Sequence, residues 1–475
     1  MYRNKKTKII ATIGPATSSK EMLKTIINEG VNVIRINFSH GSYEDHLPVI
    51  ERVREINKEE NRHIALLADL QGPKIRIGEI ENGSVNVEEG QEIEFTAEKI
   101  IGNQQRVYMS YAHFAKDVKV GEVVLIDDGK LKVEIISTDK KSTVKAKFLN
   151  AGKFSSNKGV NLPETKISLP SLTKKDKEDL DFALEHDIEY IGLSFVRTAR
   201  DIIELKHIIQ AQGKTALVVA KIEKPEAVRE IDGIIEHTDV LMVARGDLGV
   251  EIPMEQVPLL QKELVKKCLT ASKPVIIATQ MMESMITNIS PTRAEVTDVA
   301  NAVLDGADAV MLSAETSVGR YPVQVIKAMT KIILQIEESE TIYHREYPPE
   351  LNEERFISDS ICYNACRLSQ RTDTSAIVTM THSGYTATKI SSFRPKAAIF
   401  AFTGNHSLLN KLSIVWGVEG FYYDKYVSTD HTIADIKYLL KKKNLVKEKD
   451  LIINIASMPI NSLGQSNMIK LSYVE

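Results

Sequence analysis

The sequence of 475 residues predicts an α/β protein: a (β/α)8 TIM barrel, interrupted after its third strand by a small antiparallel β-barrel lid domain and followed by a C-terminal α/β domain. Three observations lead to this prediction. Apolar strand-like runs alternate with helical patterns through most of the first 340 residues. One interval instead alternates apolar with polar residues, and a second strand–helix alternation begins after residue 354.

The barrel is predicted from eight runs rich in Val, Ile, Leu and Ala, separated by stretches of helical spacing. Their near-continuous apolarity is typical of parallel strands covered on both faces. The runs begin at Lys8, Val31, Ile64, Tyr190, Ala216, Val240, Pro274 and Ala309. Eight βα units favour a barrel over residues 1–71 and 167–340, although the count alone leaves a doubly wound open sheet as an alternative.

Residues 72–166 break this rhythm and are predicted to form the lid. Helical patterns are few here, and runs such as SVNVEEGQEIEFTAE alternate between apolar and polar residues. Turn signals separate the runs at Asn82-Gly83, Glu89-Gly90 and Asp128-Gly129. Because the interval follows the third barrel strand, we expect it to cover the barrel mouth as a mobile lid. The third domain is predicted over residues 341–475, where SAIVTMT, KAAIFAFT, VEGFYYD and DLIINIAS read as strands between helices.

Composition excludes several classes of function. A formal charge of -3 gives no electrostatic basis for binding nucleic acid or an anionic membrane. The apolar runs are too short and interrupted for a membrane span. Three cysteines cannot make a disulfide framework, so a cytoplasmic location is expected.

Polar residues gather at the predicted C-terminal ends of the barrel strands, where such barrels carry their active sites. The residues in question are Arg35, Asn37, Ser39, His40, Asp69, Lys74, Arg76, Lys221, Glu223, Arg245, Gly246, Asp247, Thr279, Gln280, Ser313 and Glu315. A single polar residue at such a position is common in loops and does not indicate a site. Their accumulation at one edge of an apolar interior predicts a site.

The residue types at this edge predict phosphoryl transfer. Glu223 and Asp247 suit a Mg²⁺ ion, which binds one or two carboxylates and keeps positions for substrate oxygens; a salt-bridged pair of acids is the alternative. Lys221 lies two residues before Glu223, so both side chains point to the same face of a strand. A lysine beside a metal suits an anionic transition state. Arg35 and Arg76 add guanidinium groups that suit phosphate.

Longer stretches along the chain resemble a known family. They read TKIIATIGPAT, RINFSHG, DLQGPKIRIG, NKGVNLP, LSFVR, AKIEKPEAV, VARGDLGVEIP, ATQMMESM and PTRAEVTDVANAVLDGADAVMLSAET. In order and spacing, they resemble the pyruvate kinase family over nearly the whole chain. The resemblance implies a glycolytic enzyme that transfers the phosphoryl group of phosphoenolpyruvate to ADP and protonates the enolate, giving pyruvate and ATP.

The resemblance also implies roles for particular residues. It places Glu223 and Asp247 on a protein-bound Mg²⁺, with a second Mg²⁺ arriving on the nucleotide. Lys221 would stabilise the transferring phosphoryl group and the enolate oxygen, and Arg35 would contact the substrate phosphate. The substrate carboxylate would be bound by Arg245, Gly246, Asp247 and Thr279. The final proton would be relayed by Thr279 and Ser313. The nucleotide would be bound by Asn37, Phe38, Ser39, His40, Arg76 and Lys158.

Two positions depart from many members of the family, in which a glutamate follows Gly-Pro and a threonine follows the aspartate. Those enzymes hold an activating K⁺ through residues that match Asn37, Ser39 and Asp69, whereas this chain has Leu70 and Lys74 at the two variable positions. Two cations a few ångströms apart repel by several kcal/mol at an effective dielectric constant of about 20. We therefore expect Lys74 to supply the positive charge, so that K⁺ is not required. The alternative is that Lys74 turns into solvent and K⁺ still binds.

The segment TMTHSGYTATKIS in the last domain reads as a strand end that opens into a helix, a place that favours phosphate. The resemblance implies a site for a phosphorylated allosteric effector there, formed by Thr381, Ser383, Gly384, Tyr385 and Thr386. The effector's identity stays open between a sugar monophosphate and a nucleotide monophosphate. The resemblance further implies a homotetramer.

Two other classes of protein compete with the kinase. A Mg²⁺-dependent lyase or aldolase acting on pyruvate enolate also uses a Glu and an Asp on a TIM barrel, but it does not need the lid, Arg76 or Lys158. A non-catalytic relative is the third possibility. Each position predicted to be essential carries a chemically competent residue, which favours the kinase.

Overall fold

The barrel is closed. The computed structural model describes residues 5–351, 353–425, 428–458 and 465–475. Eight parallel strands pair in chain order, and the last pairs with the first. We number them β1 (Lys8–Thr12), β2 (Val33–Asn37), β3 (Ala65–Asp69), β4 (Tyr190–Leu193), β5 (Leu217–Ile222), β6 (Val240–Ala244), β7 (Val275–Ala278) and β8 (Ala309–Leu312). All eight predicted runs form these strands, which confirms the barrel and excludes the open sheet.

Helices surround the barrel strands. They comprise Lys20–Asn28, Tyr43–Glu60, Lys174–Glu185, Ala199–Ala211, Pro225–Arg229, Ile231–His237, Arg245–Glu251, Val257–Thr270, Arg293–Asp305, Ala314–Ser317 and Pro322–Glu337, with short 3₁₀ turns at Met254–Gln256, Glu283–Ile286 and Glu340–Ile342. Several begin at residues suited to the task. Thr292, for example, accepts from the backbone N–H of Glu295 while the Glu295 carboxylate accepts from the backbone of Thr292, which satisfies two otherwise free donors.

The inserted segment forms a separate β domain with its own apolar core. Six strands make one sheet and two make another; they are Ser84–Val87, Glu92–Thr96, Arg106–Tyr108, Val123–Ile126, Leu131–Thr138, Thr143–Phe148, Gly152–Ser155 and Val160–Asn161, with a helix at Phe114–Asp117 and a 3₁₀ turn at Glu81–Gly83. Pairing is antiparallel as predicted, except that Glu92–Thr96 and Arg106–Tyr108 run parallel. The limits 72–166 stay a prediction.

The third domain is an α/β sandwich. Its strands are Ala376–Met380, Ala398–Thr403, Val418–Tyr422, Leu451–Ala456 and Met468–Tyr473; its helices are Phe356–Thr372, Tyr385–Ser392, His406–Lys411 and Thr429–Lys442, with a 3₁₀ turn at Leu412–Ile414. The sequence predicted the first four strands. The fifth is an antiparallel edge strand that pairs with Leu451–Ala456.

The third domain packs on the N-terminal end of the barrel. One buried apolar cluster contains barrel residues such as Ile10 and Ile276 together with Ile377 and Ile399 of the third domain. A buried ion pair, Arg394 Nη2 to Asp308 Oδ2 at 2.9 Å, also crosses this interface. The domain thus covers one end of the barrel, and the C-terminal strand ends are left for the site. None of the helices in the described ranges has the length and apolarity needed to cross a membrane.

Candidate active site

Arg35 and Asp69 join neighbouring strands at the C-terminal end of the barrel. Arg35 Nε donates to Asp69 Oδ2 at 2.7 Å, and Arg35 Nη1 donates to Thr12 Oγ1 at 2.8 Å. The β2–β3 register pairs Asn37 with Asp69, so Arg35 lies two residues back and points into the same interior. The guanidinium is held by β1 and β3, which gives it one orientation.

Lys221 on β5 lies between two buried carboxylates. Its Nζ is 3.1 Å from Asp69 Oδ1 and 2.9 Å from Glu223 Oε1, and it donates to Ser194 Oγ at 2.7 Å. Burial alone would lower the pKa of Lys221, but the charges of Asp69 and Glu223 outweigh it and raise that pKa above its ordinary value. The side chain is therefore a fixed ammonium group in a poorly hydrated interior.

Asp69 is ionised for the complementary reason. Burial would raise its pKa, but the charges of Lys221 and Arg35 outweigh burial and hold the pKa below its ordinary value. Arg35 and Lys221 contribute two positive charges, and Asp69 and Glu223 contribute two negative ones. A bound divalent cation would add the excess positive charge that suits an anionic substrate.

Glu223 and Asp247 fit a divalent ion. Glu223 is 1% exposed, its Oε1 pairs with Lys221, and its Oε2 accepts from the backbone N–H of Phe195 at 2.7 Å. Burial raises the pKa of Glu223; the Lys221 charge opposes this shift and the Asp247 charge adds to it. A cation is what would relieve this repulsion between the two carboxylates. Over the described ranges no group of three or more His, Cys, Asp or Glu side chains is placed to hold a metal. Two carboxylates that leave positions for substrate oxygens match the ligand preference of Mg²⁺.

Gly246 and Thr279 form a close contact between the ends of β6 and β7. The Gly246 N–H donates to Thr279 Oγ1 at 2.7 Å, and a Cβ on Gly246 would lie 3.3 Å from that oxygen. Thr279 and Gln280 both have left-handed backbones, with φ of 69° and 54°. Such backbones are costly for non-glycine residues and concentrate at functional sites.

The Arg245 guanidinium is bound by the protein. Its Nη1 and Nη2 donate to the two carboxylate oxygens of Asp298 at 2.6 and 2.7 Å, and Nη2 also donates to the carbonyl of Thr279 at 2.8 Å. The structure thus does not present Arg245 as a free donor for a ligand. It ties the start of the Arg245–Glu251 helix to the end of β7, and its predicted contact with substrate stays a prediction that this geometry does not favour.

Ser313 follows β8 beside a buried carboxylate. Its backbone N–H donates to Glu315 Oε2 at 2.7 Å, and the Met282 N–H donates to Glu315 Oε1 at 3.2 Å. Burial raises the pKa of Glu315. Glu315 therefore joins the ends of β7 and β8, the two strands that carry Thr279 and Ser313.

The predicted nucleotide residues fall into two groups. Arg76 and Lys158 lie together on the lid: Arg76 Nη1 donates to the Asn157 carbonyl at 2.9 Å, and Lys158 Nζ pairs with Asp127 Oδ1 at 2.9 Å. Burial would raise the pKa of Asp127, but its bonds to Lys158 and Lys130 keep the pKa below its ordinary value.

The second group is the turn after β2. Asn37 Oδ1 accepts from the Ser39 N–H at 3.2 Å, and the His40 N–H donates to the Asn37 carbonyl at 3.2 Å. Phe38 is 1% exposed, and its ring packs against Phe182 with centroids 6.0 Å apart. Its ring is therefore core, and only its backbone faces the turn.

The structure brings Asn37 and Asp69 together but does not bring Lys74 to Asp69. Among the described residues, Asp69 has two cationic partners, Arg35 and Lys221. Lys74 is exposed, and the nearest atom to a Cβ on Gly159 would be Lys74 Cε, at 3.6 Å. Lys74 thus lines the cleft between barrel and lid, together with Asp247. Leu70 contributes its carbonyl, which accepts from Ser194 Oγ at 2.7 Å.

The predicted effector residues lie at the start of the Tyr385–Ser392 helix. The Gly384 N–H donates to Thr381 Oγ1 at 2.9 Å, with Gly384 at φ 87°, where a glycine is favoured. Ser383 Oγ accepts from the Tyr385 N–H at 3.4 Å, and the Tyr385 hydroxyl donates to Asp359 Oδ1 at 2.7 Å. The Thr386 hydroxyl is hydrogen-bonded to Ser466 Oγ at 3.0 Å, so most of these groups already have partners within the domain.

Sequence reasoning missed three residues of this network. Thr12 ends β1 and binds Arg35, Ser194 follows β4 and binds Lys221, and the Phe195 backbone binds Glu223. Polar residues, charged and uncharged, were named at the ends of six barrel strands but not at the ends of β1 and β4. The available signal was position, because the ends of β1 and β4 belong to the same ring of strand ends as the others.

The chain is similar to one family of known proteins along nearly its whole length. The profile described as "Pyruvate kinase, barrel domain" matches residues 4–326, and the one described as "Pyruvate kinase, alpha/beta domain" matches residues 359–472. A pyruvate kinase of Geobacillus stearothermophilus is 41% identical over 99% of this chain and 80% of that protein, and one of Mycobacterium tuberculosis is 40% identical over 97% of both. A crystal structure of a pyruvate kinase from Cryptosporidium parvum, 34% identical, superposes with a TM-score of 0.93 over 100% of this chain and 97% of that one.

Proposed function

Because this chain belongs to the pyruvate kinase family, whose members are Mg²⁺-dependent phosphotransferases acting on phosphoenolpyruvate and ADP, we propose that the residues gathered at its barrel mouth carry out that reaction. One observation carries the assignment of residues: Lys221 is a buried ammonium group held between Asp69 and Glu223, at the end of the barrel that the third domain leaves free. The family assignment does not favour the lyase alternative.

Lys221 and Arg35 would bind the reacting end of phosphoenolpyruvate. Lys221 has one orientation, set by two carboxylates and Ser194, so its charge needs no reorganisation when negative charge moves from the phosphoryl group to the enolate oxygen. Arg35 is oriented by Asp69 and Thr12 and would hold the phosphate by a planar donor pair. Positioning and charge are the main contributions a protein makes to phosphoryl transfer.

Glu223 and Asp247 would hold the protein-bound Mg²⁺. When bound, the ion supplies positive charge that polarises the phosphoryl and carboxylate oxygens. The Gly246 and Asp247 amides, with Thr279, would seat the substrate carboxylate, and Thr279 with Ser313 would relay the final proton. A second Mg²⁺ would arrive with the nucleotide.

The lid would supply part of the nucleotide site. Arg76 and Lys158 are neighbours on the lid, because Arg76 pairs with the residue that follows Lys158. Their positive charges would bind the phosphates of the nucleotide, which a lyase does not use. The turn of Asn37, Phe38, Ser39 and His40 would form the barrel side, with Phe38 contributing backbone. The lid as a unit of residues 72–166, between barrel segments 1–71 and 167–340 and a regulatory domain of 341–475, is part of this proposal.

K⁺ independence is also part of the proposal. Lys74 is an exposed cation in the cleft that also contains Asp247, at the position where many relatives have glutamate. Lys74 makes no ion pair with Asp69, but its ammonium group would repel a monovalent cation that enters this cleft, and Asp69 is already paired with Arg35 and Lys221.

Regulation and assembly follow the family pattern in this proposal. A phosphorylated effector would bind at Thr381, Ser383, Gly384, Tyr385 and Thr386, and the protein would be a homotetramer. A cytoplasmic location is consistent with three cysteines that are buried and unpaired.

The test is pyruvate formation from phosphoenolpyruvate, ADP and MgCl₂ in a tetramethylammonium buffer, with and without KCl at constant ionic strength. We expect turnover, at comparable rates in both buffers. A strong stimulation by KCl would contradict the account of Lys74 alone. Absence of turnover in both buffers would contradict the assignment of the site and return the lyase to consideration.

A further inference from the structure

A side chain of the lid contacts the barrel domain at Glu251, the last residue of the helix that follows β6. Asn161, in the lid strand Val160–Asn161, donates from Nδ2 to Glu251 Oε1 at 2.8 Å. The Glu251 side chain is 0% exposed, and the same Oε1 forms an ion pair with Lys224 Nζ. Glu251 Oε2 is buried and has no hydrogen-bond partner among the described residues. Asn161 and Lys224 thus stabilise the buried charge of Glu251. We call Asn161, Lys224 and Glu251 the latch.

One route leads from the latch to Glu223. Lys224 is the next residue in the chain, and its Nζ lies 5.9 Å from the centre of the Phe195 ring. The backbone N–H of Phe195 donates to Glu223 Oε2, and Phe195 has a left-handed backbone with φ of 55°. Such a backbone persists only when surrounding contacts hold it. Displacement of Lys224 would therefore disturb the backbone next to Glu223 and the Phe195 N–H that donates to the Glu223 carboxylate.

A second route leads to Asp247. Glu251 is the last residue of the Arg245–Glu251 helix, and Asp247 lies four residues earlier, on the same face. The Gly246 N–H at the start of this helix is fixed by Thr279. A helix held at one end by β7 and at the other by the lid transmits a change at Glu251 to Asp247.

We propose that Asn161, Glu251 and Lys224 are positioning residues that couple the seating of the lid on the barrel to the orientation of the two metal-binding carboxylates, Glu223 and Asp247. This inference rests on the proposed function for the identity of the metal site. The latch does not touch the metal or the substrate. It sets the geometry of both carboxylates only when the lid strand is in place.

The first test replaces the lid contact. Asn161→Leu keeps the number and branching of the side-chain heavy atoms and removes the donor, and Asn86→Leu is the matched control, because Asn86 is exposed on another lid strand. Mn²⁺ serves as the probe and is titrated by electron paramagnetic resonance without substrate. We expect Asn161→Leu to weaken Mn²⁺ binding by about tenfold, as loss of groups that orient metal ligands does, and Asn86→Leu to leave it unchanged. Limited proteolysis should cleave the Asn161→Leu lid faster.

Faster cleavage with unchanged Mn²⁺ affinity would overturn the proposal, because Asn161 would then only hold the lid. The Mn²⁺ titration does not depend on turnover. A wild-type protein that binds Mn²⁺ but makes no pyruvate would therefore contradict the proposed function and leave the latch supported or overturned by the variants.

A second test addresses the buried ion pair. Lys224→Met alone leaves an uncompensated carboxylate and endangers folding, whereas Lys224→Met with Glu251→Leu replaces the pair by apolar groups and restores stability. We expect the double variant to melt near the wild-type temperature and still need about tenfold more Mg²⁺ for half-maximal rate. Wild-type Mg²⁺ dependence in a stable double variant would overturn the coupling.

Discussion

Arg35 Nε lies 2.7 Å from Asp69 Oδ2, inside the barrel and across the β2–β3 pair. The opposite oxygen, Oδ1, lies 3.1 Å from Lys221 Nζ. Asp69 thus holds both cations that we assign to the substrate phosphate. Because both contacts are buried, the carboxylate orients the site and also stabilises the fold.

Replacement of the Asp69 carboxylate tests how much it contributes to the stability of the fold. Asp69→Asn keeps the shape but leaves Arg35 and Lys221 without the charge between them. We expect the free energy of unfolding to fall by about 3–5 kcal/mol, the usual cost of removing one partner of a buried pair. Urea unfolding followed by circular dichroism measures it. Asp187→Asn is the control, since the Asp187 side chain is 80% exposed and pairs with Lys214 at the surface; a similar loss there would contradict the expectation.

Acid should weaken the fold through the same residue. The pKa of Asp69 is lower in the folded protein than its ordinary value, because the charges of Lys221 and Arg35 outweigh burial. Its contribution to stability is therefore complete above the unfolded pKa of about 3.9 and is lost as the pH falls through the folded value. We expect wild-type stability to fall more steeply than that of Asp69→Asn below about pH 4. Parallel curves in urea titrations at several pH values would show that other carboxyls dominate.

Loss of the central ammonium group should abolish the chemistry. Lys221→Met removes the only protein cation within ion-pair distance of Glu223 among the described residues. We expect kcat for pyruvate formation to fall by about a thousandfold, as for removal of a preorganised charge donor. Lys206→Met is the control, since Lys206 lies on the helix Ala199–Ala211 and pairs with Asp239, which precedes β6. Turnover near wild type in a folded Lys221→Met protein would refute the assignment.

Reversal of charge at Lys74 should create a K⁺ requirement. Lys74→Glu places a carboxylate in the cleft in place of an ammonium group, so that repulsion of a monovalent cation becomes attraction. We expect KCl to stimulate the variant about tenfold or more and the wild type little. The comparison uses Lys99→Glu, an exposed lid position, at constant ionic strength. An unstimulated Lys74→Glu protein would mean that this residue does not decide cation dependence.

The role of Arg245 can be separated from substrate contact. If Arg245 positions Thr279, breaking its ion pair from the other side should have the same effect as removing it. We expect Arg245→Met and Asp298→Asn each to raise the KM for phosphoenolpyruvate by about tenfold, with a smaller change in kcat. Steady-state kinetics on both variants measures this. A defect confined to Arg245→Met would favour the direct contact that the sequence predicted.

Much of the fold was predictable, because the spacing of apolar residues indicates each strand or helix and the order of these elements indicates the barrel. Eight apolar runs became eight strands, since parallel strands buried on both faces need continuous apolar residues. The edge strand Met468–Tyr473 was missed because a lysine and a serine interrupt its apolar residues and none of its six residues is fully buried. The polar residues at the strand ends were found for a related reason: every strand of a parallel barrel ends at the same rim.

The sequence by itself determined the barrel, the inserted lid and the ring of residues at the mouth, because periodicity and strand direction are properties of consecutive residues. Only the tertiary structure decided which groups bind one another. Arg245 turns to Asp298, Phe38 turns into the core, and Lys221 finds Ser194 across neighbouring strands. Those choices depend on barrel closure and on competition among donors and acceptors for buried partners, which no local pattern encodes.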